Sequence, residues 1–166
     1  MDDCRALNDL SNDEARAALT RCCGSTRWVD HMLHARPFQS RAELFEAASR
    51  HWNALDVADW DEAFSHHPRI GDPAAASKST ATWAANEQAG AARSADEVRA
   101  AIAEGNRAYE AKFGRIYLVC ATGKTGEELL AILRARLGND AAEELRVAVG
   151  EQEKITRLRL EKILSP

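Results

Sequence analysis

Two adjacent histidines followed by a proline, in Ser65-His66-His67-Pro68-Arg69-Ile70-Gly71-Asp72, are the residues of this chain best suited to proton chemistry. Imidazole titrates near neutral pH and can serve as general acid or base. Pro68 lacks a backbone N–H and disfavours helical geometry at His67, so a helix arriving from the left should end near His66. Gly71 admits backbone angles closed to other residues, and Asp72-Pro73 favours a further turn. The pattern predicts a stiff loop that fixes the direction of an imidazole, as preorganised catalysis requires. A hydrogen-bonded loop histidine without chemistry is the competing explanation for either residue.

Other side chains with chemical potential are scattered. Glu87 and Gln88 lie in Trp83-Ala84-Ala85-Asn86-Glu87-Gln88-Ala89-Gly90, where small neighbours leave room for a ligand; a solvated helix glutamate explains Glu87 equally well. In Arg157-Leu158-Arg159-Leu160, Arg159 follows Ile155 by one helical turn and so points toward an apolar stripe. An arginine there wants an anionic or carbonyl partner, or else snorkels. Gly123-Lys124-Thr125 is similar to the tail of a phosphate loop, but Leu118 stands where its first glycine belongs, so a turn and helix cap suffice. Asp30, His31 and His34 share a helical turn without further ligands at recognisable spacing, so no metal is expected. Cys4, Cys22, Cys23 and Cys120 form no C-x-x-C pair and read as reduced thiols, with at least one of Cys22 and Cys23 packed in the core.

Helices must position these groups. Capping boxes are legible at Ser11/Glu14, Ser40/Glu43, Ser94/Glu97 and Thr125/Glu128. They predict helices from about Asn12 to Cys22, from Ser25 to before Pro37, from Ser40 past Leu44, Ala47 and Trp52, and from about Val57 to Ser65. Helix should resume near Thr80 and stop at Gly90. From Ser94 a longer helix carries Val98, Ile102, Tyr109 and Phe113 on one face, with Gly105 admitting a kink and Gly114 ending it. Residues 115–120 form one short extended, buried segment with no partner strand. A helix from Thr125 holds Leu129, Leu130, Ile132, Leu133 and Leu137. The last, about Asp140 to Leu164, should turn Leu145, Ala148/Val149, Ile155, Leu158 and Ile163 inward. The sum is an all-α, single-domain helical bundle of about eight helices over residues 1–166.

Composition narrows the function classes. With 166 residues, 45% hydrophobic and 29% charged, the chain suits one ordinary globular domain. A net charge of −4 and no basic stripe argue against nucleic acid as a partner. No apolar run approaches the ~20 residues of a membrane span. The acidic start, Met1-Asp2-Asp3-Cys4, lacks a signal-peptide pattern, so a cytoplasmic location is expected.

Taken in order, several blocks carry a resemblance. They are His67-Pro68-Arg69-Ile70-Gly71-Asp72, Asn86-Glu87-Gln88-Ala89-Gly90, Tyr109-Glu110-Ala111-Lys112-Phe113-Gly114 and Lys154-Ile155-Thr156-Arg157-Leu158-Arg159-Leu160. Together they resemble the signature of the OHCU decarboxylases, which act on 2-oxo-4-hydroxy-4-carboxy-5-ureidoimidazoline in urate breakdown. Cys22-Cys23-Gly24-Ser25-x-x-Trp28 and Arg36-Pro37-Phe38 fit as well. The resemblance implies an all-helical, cofactor-free enzyme, often a homodimer, converting OHCU to (S)-allantoin and carbon dioxide. It implies that His67 and Glu87 are catalytic. Arg159, Pro68, Gln88 and the backbone around Val119, Cys120 and Ala121 would bind substrate. Many members have serine where this chain has Ala84, so that hydroxyl's hydrogen bond must be absent or supplied otherwise, with Asn86 or a water as candidates.

The chemistry expected of such a substrate is consistent. A carboxylate and a hydroxyl on one sp³ ring carbon, beside a ring carbonyl, can lose carbon dioxide with the electron pair delocalised as an enolate, so no metal or pyridoxal sink is required. The protein then supplies donors for the oxyanion and a proton on one face. Two rivals remain: a non-enzymatic helical binding module, and a lyase acting on a related hydantoin ring.

Overall fold

Serine, threonine and aspartate caps set where the helices begin. The computed structural model describes residues 4–71 and 92–165. Among them are eight helices and no strand: α1 Arg5–Asn8, α2 Asn12–Cys22, α3 Thr26–Ala35, α4 Arg41–Asn53, α5 Val57–Ser65, α6 Ala92–Phe113, α7 Gly126–Arg136 and α8 Ala141–Leu164. The boxes at Ser11 and Thr125 are complete, with each hydroxyl accepting the N–H of the helix's third residue, Glu14 or Glu128, and that glutamate accepting the cap's own N–H. Ser25 and Asp56 cap α3 and α5 through their side chains.

Two of the expected boxes differ. Ser40 caps α4, but the Glu43 carboxylate takes the N–H of Gln39 at 2.6 Å, one residue before the cap. The helix assigned to Ser94 starts earlier, at Ala92. Ala92 and Arg93 are strong helix formers, so the helix does not wait for a cap. It also runs through Gly105 without a break. A Cβ at Gly105 would lie 2.5 Å from Leu133 Cδ2, so glycine here permits close approach of α6 and α7. The short α1 had no sequence signal of its own. The expected helix from Thr80 to Ala89 lies outside the described residues.

The chain divides into two compact units, residues 1–66 with 149–166, and residues 67–148. In the first, α3 packs against α2, α4 and α5. Leu7, Leu19, Trp28, Met32, Leu44, Trp52, Phe64 and Leu160 are buried there. Each buried indole N–H finds a carbonyl: Trp28 donates to Ala48 and Trp52 to Val149, both at 3.0 Å. In the second unit, α6 packs on α7, and Ile102, Tyr109, Tyr117, Val119, Leu129, Leu130 and Leu133 form one buried cluster. Val98, Phe113, Ile132 and Leu137 flank it as the periodicity predicted. Residues 116–121 adopt neither helix nor strand, and Tyr117 to Cys120 are buried.

The inward stripe of α8 agrees with the expected one only at Ala148. Leu145, Val149, Ile155, Leu158 and Ile163 are half-buried, whereas Glu144, Ala148, Gln152, Thr156, Leu160 and Leu164 are buried at every fourth position. Half of that stripe is polar, and its atoms are paired: Gln152 Nε2 donates to Thr156 Oγ1 at 3.0 Å, and Thr156 Oγ1 to the Cys22 carbonyl at 3.4 Å. Satisfied polar groups can occupy a core face.

Candidate active site

His66 caps the C-terminus of α5, where its N–H bonds to the Ala63 carbonyl at 3.3 Å. Its imidazole covers Gly24: a Cβ built there would come within 2.7 Å of His66 Cβ and Nδ1. The preceding helix therefore ends where Pro68 predicts, and the two histidines separate. His66 belongs to the first unit, and half-buried His67 opens the second.

The loop after His67 is anchored to α6. Arg69 Nε pairs with Glu110 Oε1 at 2.7 Å. One turn earlier on that helix, Asn106 Nδ2 donates to the Ile70 carbonyl at 2.8 Å. Ile70 packs against the apolar cluster of the second unit, and Gly71 takes the left-handed conformation, φ +81°, expected of it. Rigidity of the His67 loop thus comes from α6 as well as from Pro68, which is exposed. Asn106 and Glu110 were missed as site supports; their spacing of one helical turn was the available signal.

Around the non-helical segment, carbonyls are held by cations. Arg136 Nη1 donates to the Leu118 carbonyl at 2.6 Å and Lys124 Nζ to the Cys120 carbonyl at 2.8 Å. Lys124 N also bonds to the Ala121 carbonyl at 3.1 Å. Lys124 is therefore folded back onto its own turn, and Gly123, φ +76°, makes that turn. Val119 and Cys120 are buried, while Ala121 is exposed. Arg136 is itself paired with buried Glu144, which also accepts from the Tyr109 hydroxyl. Burial, then Glu144, raise the Tyr109 phenol pKa, and the Glu144 pair raises that of Arg136 against the cost of burial.

In the first unit, Arg159 is half-buried, and its Nη1 donates to the Arg21 carbonyl at 3.0 Å near the end of α2. Its charge reaches the Cys22 thiol, which burial nonetheless pushes up to about 11; Cys23 is pushed up to about 12 by the same cause. Cys4, Cys22, Cys23 and Cys120 are all buried, and no disulfide joins any two of them. Asp30 pairs with Arg16 at 2.7 Å, His34 Nδ1 contacts the Asp30 carbonyl at 2.7 Å, and His31 lies against His51 with ring centroids 5.0 Å apart. Among the described residues, no group of three or more His, Cys, Asp or Glu is placed to hold a metal ion. Glu87, Gln88, Ala84 and Asn86 lie outside the described residues.

Fold and sequence blocks together define a class. The OHCU decarboxylase family model matches residues 8–161, and the chain belongs to the OHCU decarboxylase family. It is 37% identical over 147 residues to the Arabidopsis thaliana "Uric acid degradation bifunctional protein TTL", covering 87% of this chain and 45% of that protein. It is 28% identical over 127 residues to the Xenopus laevis 2-oxo-4-hydroxy-4-carboxy-5-ureidoimidazoline decarboxylase, covering 75% of this chain and 73% of that one. The chain thus spans less than half the length of the Arabidopsis relative. Among solved structures, an OHCU decarboxylase determined in the presence of (S)-allantoin superposes with a TM-score of 0.78 at 34% identity, over 95% of this chain and all of that one. An (S)-allantoin synthase shares the fold, with a TM-score of 0.69 at 17% identity, over 96% of this chain and 53% of that one.

Proposed function

We propose that this chain is a carboxy-lyase that converts OHCU to (S)-allantoin and carbon dioxide without a cofactor. The observation that carries this reading is the family match over residues 8–161, within which His67 stands on a loop pinned to α6 by the Arg69–Glu110 and Asn106–Ile70 contacts. A loop held at both its charged and its main-chain atoms suits an imidazole that must meet a reacting carbon at a fixed angle.

The substrate's chemical name corrects one expectation. It puts carboxylate and hydroxyl on ring atom 4 and the ureido group on ring atom 5, and an imidazoline keeps one ring double bond. The electron sink beside carbon 4 is therefore the C5=N bond, and the carbonyl at ring atom 2 is not adjacent. When the C4–CO₂ bond breaks, its electron pair forms C4=C5, and the ring nitrogen takes the electron pair of C5=N and a proton. Loss of the hydroxyl proton then makes C4 a carbonyl, and C5 gains a proton. One proton is consumed overall, and the face on which C5 receives it sets the hand of the product.

In this reading His67 is the general acid. Glu87 orients that imidazole or grips the substrate's hydroxyl or ureido group, beside Gln88. Arg159 and the backbone of Val119, Cys120 and Ala121 bind the ring, and Pro68 sets the His67 backbone. A planar guanidinium and main-chain N–H groups suit ring oxygens and stabilise the transient anion. One functional domain, a homodimer and a cytoplasmic location belong to the same reading. Four buried cysteines with no disulfide among them fit a reducing compartment. The test is catalysed, single-handed product formation from fresh OHCU; a binding module gives no turnover.

A further inference from the structure

Inside the second unit, the ion pair of Arg136 and Glu144 is almost completely enclosed, with side-chain exposures of 6% and 0%. Glu144 Oε1 accepts from Arg136 Nε at 2.8 Å, from Nη2, and from the Tyr109 hydroxyl; Oε2 accepts from Asn139 Nδ2 at 3.1 Å. The guanidinium also lies 4.9 Å from the Tyr117 ring centroid. Stability alone does not account for such a pair, because well-packed apolar residues often hold a core as well or better. What an apolar pair cannot supply is the directed donor that Arg136 gives to the Leu118 carbonyl, at 2.6 Å. Lys124 does the same for the Cys120 carbonyl, at 2.8 Å.

A peptide unit is planar, so fixing its carbonyl oxygen fixes the N–H of the next residue on the opposite side. The Leu118 carbonyl shares its plane with the Val119 N–H, and the Cys120 carbonyl with the Ala121 N–H. Resting on the functional reading above, we propose that Arg136 and Lys124 are positioning residues that aim the main-chain N–H groups of Val119 and Ala121 at the substrate's ring. Glu144 and Tyr109 hold Arg136 in the one geometry that serves this. Neither cation needs to touch the substrate. Lys124, which sequence alone likens to a truncated phosphate loop, has its ammonium directed at the backbone instead.

Lys124→Met removes one clip at a half-buried position without leaving a charge in the core. Arg136→Met/Glu144→Leu removes the other clip as a pair, which avoids an uncompensated buried ion. Each variant is compared with wild type for helix content, melting temperature, kcat, KM and product handedness. Positioning predicts a KM raised about 10-fold for each folded variant, a smaller change in kcat, a lower enantiomeric excess, and recovery of most of the KM change in Lys124→Arg. Should the paired variant fail to fold, Lys124→Met and Lys124→Arg carry the test. Wild-type KM and handedness in folded Lys124→Met would overturn the proposal while leaving the decarboxylase reading intact. An inactive wild type would overturn both.

Discussion

Arg159, on the last helix, donates through Nη1 to the main-chain oxygen of Arg21 at 3.0 Å, close to the C-terminus of α2. The carbonyl end of a helix carries partial negative charge, so it favours a guanidinium beside it. One fork nitrogen is thereby occupied with backbone, and the remaining donors keep a defined orientation. Lysine cannot reproduce this, because a compact ammonium cannot fix a plane while bonding elsewhere. Arg159→Lys should lower kcat/KM by about 10- to 100-fold, the equivalent of one hydrogen bond to a charged group. Steady-state kinetics with an unchanged melting temperature check this.

The two neighbouring histidines should part company on mutation. His67→Ala is expected to lower turnover by about 10²- to 10⁴-fold, the range usual for a general acid, with helix content intact. His66 caps α5 and covers Gly24, so His66→Ala should alter stability modestly and leave turnover within a few-fold of wild type. Equal losses at both positions would contradict the assignment.

Gly105→Ala tests the close approach of α6 and α7. Alanine gains about 1 kcal/mol of helix propensity, but its Cβ would meet Leu133 Cδ2 at 2.5 Å. Leu133 is fully buried in the apolar cluster of α6 and α7, so displacing it disturbs packing. Overpacking costs about 1–3 kcal/mol and should win, lowering the melting temperature by a few degrees. An unchanged or higher melting temperature would show that the two helices can separate freely.

The buried thiols yield a pH prediction. Burial raises Cys22 to about 11 and Cys23 to about 12, from 9.0 in the open chain. The folded state then holds their protons more tightly than the unfolded state. Their contribution to stability is full below pH 9 and declines as pH rises toward 11–12. Urea titrations should show this alkaline loss, and it should be shallower in Cys22→Ala/Cys23→Ala. At pH 8 the thiolate of Cys22 is about one part in a thousand, so iodoacetamide should label neither residue until the protein is denatured.

How much of this was legible in the sequence depended on whether a signal was local. The cap at Ser11, the stop at Pro68 and the turn at Gly71 are decided within a few residues, and the structure has them. The helix expected to open at Ser94 instead includes Ala92 and Arg93, both good helix formers. Polar Glu144, Gln152 and Thr156 on the inner stripe of α8 escaped, because periodicity marks apolar residues as interior. Their burial depends on partners distant in sequence: Arg136 and Tyr109 for Glu144, Cys22 for Thr156. The anchoring of the His67 loop by Asn106 and Glu110 was hidden for the same reason. Residues such as His67 and Arg159 stood out by resemblance to a family; Glu110 lies in one of the blocks that carry it, yet nothing local pointed to its pairing with Arg69.

The most direct measurement follows the product's hand in time. OHCU is generated fresh from urate with urate oxidase and hydroxyisourate hydrolase, and circular dichroism records allantoin formation with and without this protein. The account predicts prompt appearance of the (S)-allantoin signal, in proportion to protein concentration and well ahead of the spontaneous reaction, with most of the acceleration lost in His67→Ala. Formation at the spontaneous rate, or of racemic product, in the presence of folded wild-type protein would contradict it.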